Sequence, residues 1–146
     1  MNIDHFKHDH LRILDSISDL RRLSHRGIEE NAPDIARAVV AMSSVIKLHL
    51  SAEDRMLYPA LQASGNERLA LLGQQFQQEM ESIAAAFAGF VRRWNTPARV
   101  RTDPEGFRSD ANQILKSVHA RMQRENRDFY PLIERESSPL EREYAQ

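Results

Sequence analysis

The chain has 146 residues, of which 41% are hydrophobic and 28% are charged, and its formal net charge is -1. This length and composition are typical of one globular domain with its own apolar core. The lack of cysteine excludes a disulfide scaffold, a cysteine-ligated zinc or iron–sulfur site and a thiol nucleophile. The balance of basic and acidic residues argues against nucleic acid or an anionic membrane as a main partner, since both attract a positive surface.

Two further features bear on location. No apolar stretch approaches the roughly 20 residues that cross a bilayer. The first ten residues, MNIDHFKHDH, are polar and include acidic side chains, unlike a secretory signal or a transit peptide. We therefore expect a cytoplasmic protein that does not bind a membrane.

The first half of the chain predicts two helices. The first begins near Asp4 and runs to about His25, where Gly27 supplies a stop. The second begins at the Asn-Ala-Pro sequence of residues 31–33, and Pro59 ends or kinks it before a Ser-Gly-Asn turn. Its inward stripe, at helical spacing, contains Ile35, Val39, Met42, Ile46, His49, Glu53, Met56 and Leu57.

The second half predicts two more helices, separated by a short basic loop. The third carries the stripe Leu69, Leu72, Phe76, Met80, Ile83, Phe87, Phe90 and Trp94. The fourth begins at Asp103-Pro104 and continues past Leu132, and no window alternates as a strand does. We predict an all-α fold: an antiparallel up-down-up-down four-helix bundle over residues 1–136, with a polar tail at 137–146.

Polar residues interrupt the apolar stripes at a few positions. His10 lies on the stripe of the first helix, and His49 and Glu53 lie one turn apart on that of the second. Arg121 and Glu125 have the same spacing on the fourth helix. Residues four apart project from one helix face, so each pair can reach a common point in the bundle core.

An internal repeat relates the second and fourth helices. Residues 49–61, HLSAEDRMLYPAL, align without gaps on residues 121–133, RMQRENRDFYPLI. The two segments share glutamate, arginine, tyrosine and proline: Glu53 and Glu125, Arg55 and Arg127, Tyr58 and Tyr130, Pro59 and Pro131. A binuclear carboxylate site uses this kind of symmetry, with one half-site from each helix. The repeat fails at one position, where Arg121 aligns with His49.

The His-x-x-x-Glu sequence of His49 and Glu53, followed by Tyr58-Pro59, resembles the hemerythrin-like (HHE cation-binding) domains. The resemblance extends over nearly the whole chain. It implies a four-helix bundle in which histidines and carboxylates from all four helices hold a di-iron centre. The positions that match the ligands of that family are His10, His49, Glu53 and Glu125.

Two positions depart from the ligand pattern of that family. Met80 occupies a histidine position of the third helix, and Arg121 occupies the histidine position of the fourth. A thioether is a poor iron ligand in an oxygen-rich site, so we expect Met80 to pack in the core. The guanidinium supplies a permanent positive charge, and we expect Arg121 to span Glu53 and Glu125 in place of a cation.

Three functions follow from these observations. The first is a regulatory or partner-binding module with a degenerate metal site, no cofactor, no enzymatic activity and a protein partner; a homodimer is compatible with it. The second is an oxygen, redox or metal sensor that holds one iron or other divalent ion on His10, His49, Glu53 and Glu125, which requires Arg121 to turn away. The third is histidine phosphotransfer, for which His119 near Lys116 is the only candidate.

Overall fold

The computed structural model of the protein describes residues 2–136, so the predicted tail at 137–146 lies outside the described residues. The described part contains five helices and no strand. They are α1 (Asp4–Arg26), α2 (Ala32–Gln62), α3 (Glu67–Trp94), α4 (Pro97–Thr102) and α5 (Pro104–Arg124, continued by Glu125–Phe129 and Tyr130–Glu136). The all-α prediction is confirmed, and the four long helices correspond to the four predicted ones.

The helix ends follow local chemistry. Gly27 stops α1 with a φ of 124°, a left-handed value that glycine tolerates. The side chains of Asn66 and Asp103 cap α3 and α5 by accepting backbone N–H groups. The predicted basic loop contains the short helix α4, because Thr96 caps it and Pro97 occupies its first position.

Helices α2 and α5 each contain one π-helical segment that begins at a glutamate. The segments are Glu53–Leu57 and Glu125–Phe129. In each, the N–H of the tyrosine bonds the glutamate carbonyl five residues earlier, and the next residue is a proline that lacks an N–H. Pro59 therefore does not end α2, which continues to Gln62.

The π segments also change which residues face the core. A π-helical turn contains one residue more than an α-helical turn. The next residue that faces the core therefore comes one position later in the chain than α-helical spacing predicts. Leu57 is fully buried, whereas Met56 is 54% exposed. The placement of Met56 on the inward stripe was therefore wrong.

The core consists of two apolar clusters with a polar layer between them. The first cluster includes Ile13, Ile46, Phe87, Phe107 and Met122, and the second includes Phe6, Leu57, Phe76, Phe129 and Ile133. Each long helix passes the two clusters in the opposite order to the preceding long helix. This alternation is what the predicted up-down-up-down topology requires.

Helix α2 is the one segment of the described chain that is long and apolar enough to cross a membrane by length and composition, with a mean hydropathy of 1.4. This helix departs from the expectation that no apolar stretch approaches the length that crosses a bilayer. The core helix of a soluble protein meets the same criterion. In this fold the apolar residues Ile35, Val39 and Ile46 of α2 pack into the first cluster.

Truncation of Phe107 should destabilise the fold strongly. Its ring is fully buried between Phe90 and Trp94, so Phe107→Ala removes contacts that the surrounding helices cannot fully replace. We expect a loss of about 3–5 kcal/mol in the free energy of unfolding, measured by urea denaturation. The control Leu71→Ala removes a side chain that is 67% exposed and should change stability by less than about 0.5 kcal/mol. Equal effects of the two substitutions would contradict this assignment of the core.

Candidate metal centre

Four buried side chains from three helices converge in the polar layer. The Nε2 atoms of His10 on α1 and His49 on α2 are 3.1 Å apart. Glu53 Oε1 lies 3.3 Å from His49 Nε2, and Glu125 Oε1 lies 3.8 Å from His10 Nε2. The structure therefore brings together the four residues predicted as a partial metal site, and His10, His49 and Glu125 form a group whose ligand atoms lie within 4.8 Å of one another.

Each imidazole is oriented by an acceptor on its outer nitrogen. His10 Nδ1 lies 2.8 Å from Asn126 Oδ1, and His49 Nδ1 lies 3.3 Å from Asp9 Oδ2. A carboxylate or amide oxygen accepts, so each Nδ1 donates its proton outward. Both Nε2 lone pairs then point into the centre, which is the arrangement that metal-binding histidines need.

The tyrosine of the second repeat adds a further polar atom. The Tyr130 hydroxyl lies 3.0 Å from His10 Nε2 and 3.4 Å from Glu53 Oε2. A hydroxyl donates only one proton, so it can satisfy either the imidazole or the carboxylate. A cation on His10 Nε2 leaves the Tyr130 proton for Glu53.

The pKa values show that the centre attracts positive charge. Burial and the facing Glu53 carboxylate raise the pKa of Glu125 to about 7. Burial opposes protonation of His49, but the neighbouring carboxylates of Glu53, Glu125 and Asp9 raise its pKa on balance. Burial lowers the pKa of His10, which favours its neutral, metal-binding form.

The buried carboxylates are not fully satisfied by protein groups. Glu53 Oε1 and Glu125 Oε2 are buried and accept no hydrogen bond within the described residues. Two imidazole nitrogens and two carboxylate groups are a donor set that suits iron, zinc or manganese. His10, His49 and Glu125 lie close enough together to hold one divalent ion, and Glu53 lies beside them, 3.3 Å from His49.

Arg121 lies beside this group and differs from the predicted bridge. Its Nε donates to Glu125 Oε1 at 3.2 Å, and its Nη2 donates to the carbonyl of Phe76 at 2.6 Å. The guanidinium also lies 4.6 Å from the centre of the Phe76 ring and 3.6 Å from Glu79 Oε2. Arg121 therefore pairs with one of the two glutamates and is held by α3, so it does not span Glu53 and Glu125. It also does not turn away, so Glu125 Oε2, which has no hydrogen bond within the described residues, is the oxygen of that carboxylate left for an ion.

Met80 and Tyr58 border the same side of the centre. Met80 is 5% exposed, as expected for a core residue. It lines a cavity of about 100 Å³ between α2 and α3 together with Tyr58. The Tyr58 hydroxyl is buried and has no hydrogen-bond partner in the described chain, whereas its repeat counterpart Tyr130 has two within reach.

Sequence reasoning missed the two outer partners of the imidazoles. Asp9 precedes His10 and Asn126 follows Glu125. The one indication in the sequence for either residue was therefore its position next to a candidate metal ligand. Their partners come from different helices, which local spacing does not reveal. His119 is only half-buried on α5 and does not belong to the group of metal-ligand atoms found within the described residues.

Comparison with known protein families gives one match. The model of the hemerythrin HHE cation binding domain matches residues 1–133. Comparisons with the curated proteins and with the solved structures give no match. The match covers all four residues of the candidate centre and both π segments. The chain belongs to the hemerythrin HHE cation-binding domain family.

Proposed function

We propose that this domain binds a single divalent metal ion and acts as a metal, oxygen or redox sensor that regulates a protein partner. The ligands are His10, His49, Glu53 and Glu125. The proposal combines the second function expected from the sequence with the regulatory role expected in the first. It replaces the expectation that no metal is bound.

The tautomers of the two histidines carry this proposal. Asn126 and Asp9 accept the Nδ1 protons, so when both imidazoles are neutral, two Nε2 atoms without a proton face each other at 3.1 Å. Two lone pairs at this distance repel each other unless a proton or a cation lies between them. The nearby Glu53 Oε1 adds a negative charge, which favours a divalent ion over a single proton.

The other half of a two-metal site lacks its ligands in this chain. Arg121 and Met80 stand where the family carries histidines. The Arg121 charge, at 3% exposure, repels a second cation, and its hydrogen bonds to Glu125 and Phe76 hold it in place. One ion is therefore the expected stoichiometry, and we propose no two-iron oxygen carriage.

The bound ion would supply positive charge between the two carboxylates and a coordination position for a small ligand. The chain's own residues hold the ligand atoms in a buried layer that bulk water does not enter. Because the ligands come from α1, α2 and α5, loading the site links three helices. Loss of the ion would remove the connection between these three helices. The resulting change in helix packing is how the sensor would signal to its partner.

The metal stoichiometry tests the proposal directly. Purified chain supplied with Fe²⁺, Zn²⁺ or Co²⁺ should retain about one ion per chain after gel filtration, measured by elemental analysis. His49→Ala should weaken binding more than about 100-fold, because it removes a central ligand. The control His25→Ala, at the exposed end of α1, should keep the wild-type stoichiometry. A well-folded wild-type chain that retains no ion would refute the proposal.

Removing an outer partner should weaken the site without disturbing the fold. Asn126 is exposed, so Asn126→Ala should leave the melting temperature of the metal-free chain within about 2 °C of wild type. It frees His10 to bind with the wrong tautomer, and we expect the dissociation constant for Zn²⁺ to rise about 10- to 100-fold. The measurement is competition with a chromophoric chelator. An unchanged constant would mean that the His10 tautomer does not matter.

Restoring the family's histidines should create the second half-site. The double variant Met80→His, Arg121→His removes the buried positive charge and adds two imidazoles. We expect its iron content to rise from about one to about two ions per chain. The matched control Met80→His, Arg124→His places the second histidine three residues away on the rim and should remain near one. Equal iron content in both variants would contradict the role given to Arg121.

A further inference from the structure

A groove lies between α1 and α5, at the opposite end of the bundle from the candidate metal centre. We call it the α1–α5 groove, and its lining includes Arg21 and His25 of α1 and Arg108, Ala111, Asn112 and Leu115 of α5. Its volume of about 350 Å³ is within the range of pockets that hold small organic ligands. Arg21 is eleven residues beyond His10, or roughly 16 Å along the helix, so the groove is separate from the polar layer.

Hydrogen-bond donors line both walls of this groove. Arg21 and His25 are one turn apart on α1, and Arg108 and Asn112 are one turn apart on α5. Two guanidinium groups, an imidazole and an amide are therefore brought to one place by two helices. The guanidinium fork suits carboxylate and phosphate oxygens, which it binds through two parallel hydrogen bonds.

The positive charge of the groove is not balanced by the described part of the chain. No acidic residue of that part lines the groove. Arg21 forms no hydrogen bond or ion pair within the described residues. Arg108 pairs with Glu105 at 3.4 Å, but both side chains are more than half exposed, so this pair contributes little.

The helix dipoles do not account for the two arginines. His25 lies in the last turn of α1, where a basic side chain is favourable. Arg21 comes before that turn, and Arg108 lies near the start of α5, where the dipole favours negative charge instead. Another reason for the position of both guanidinium groups is needed, and an anionic ligand supplies one.

A second groove, beside α4, shows how arginines are satisfied elsewhere in this fold. Its lining includes Arg93 and Arg99. Arg93 Nη1 pairs with Asp110 at 2.9 Å, and Arg99 donates to the carbonyl of Arg92. These guanidinium groups already have acceptors, whereas Arg21 has none within the described residues.

The floor of the α1–α5 groove is apolar. It is formed by Ala111 and Leu115, which are 4% and 2% exposed. A ligand that reaches the floor between the two walls contacts these side chains with its apolar part. Its anionic groups then remain at the level of the arginines.

We propose that the α1–α5 groove binds a small organic dianion, either a phosphate monoester or a dicarboxylate. Arg21 and Arg108 bind the anionic groups from opposite walls, His25 and Asn112 donate further hydrogen bonds, and the apolar part of the ligand packs on Leu115. Two guanidinium charges match the two negative charges of such a ligand. The site is independent of the proposed function, because none of its residues belongs to the metal centre.

Phenyl phosphate and phthalate are the two probes, one for each kind of anion. Each is titrated calorimetrically into the full chain in about 0.15 M salt, where long-range attraction is largely screened. We expect at least one probe to bind, and we expect Arg21→Gln and Arg108→Gln each to raise its dissociation constant about tenfold, because each removes a charged donor. The matched control Arg22→Gln removes the same charge from the next position, where the side chain pairs with Asp19, and should bind as wild type does.

The outcomes are distinct. The probe that binds identifies the anionic group, a phosphate or a pair of carboxylates. Binding of neither probe at millimolar concentration overturns the proposal, and so does equal weakening by Arg21→Gln and Arg22→Gln, because that result reflects overall charge. All three arginines are exposed, so the variants should fold, which thermal denaturation checks first. The chain is treated with a chelator beforehand, so the result does not depend on whether it binds a metal.

Discussion

The structure depends on a buried layer of charge between two apolar clusters. His10, His49, Glu53 and Glu125 lose most of their hydration there, and each is 1% exposed or less. Removing charged groups from water costs several kcal/mol per ion unless they are compensated. The helices can pack at this level only because the charges meet one another, protons and a guanidinium.

The groups that offset the buried glutamate charges differ between the two halves of the repeat. In the half around α2, His49 faces Glu53 and also meets His10, and the outer nitrogens of the two imidazoles are held by Asp9 and Asn126. In the half around α5, Arg121 replaces the histidine and brings its own permanent charge. An arginine cannot be exchanged or released as an ion can, so the positive charge in this half of the pseudo-symmetric site is permanent.

The backbone contributes to this division through the two π segments. Each begins at the glutamate of the repeat and ends before a tyrosine-proline pair. The extra residue in the turn keeps the glutamate inward and also buries the tyrosine, which α-helical spacing alone does not achieve. The two tyrosines then differ in their surroundings: Tyr130 meets His10 and Glu53, whereas Tyr58 faces the side where Met80 and Arg121 stand.

The sequence alone determined the helices, their order and the residues of the polar layer, because periodicity, caps and i, i+4 spacing are properties of a single helix. Contacts between helices required the tertiary structure. It showed that Arg121 pairs with Glu125 and not with Glu53, and that Asp9 and Asn126 orient the imidazoles. It also showed that the Tyr58 hydroxyl has no hydrogen-bond partner among the described residues. It also moved Met56 to the surface. The physical reason is that rotation and π-helical register decide which side chains meet across a bundle, and both are set by packing of the whole core.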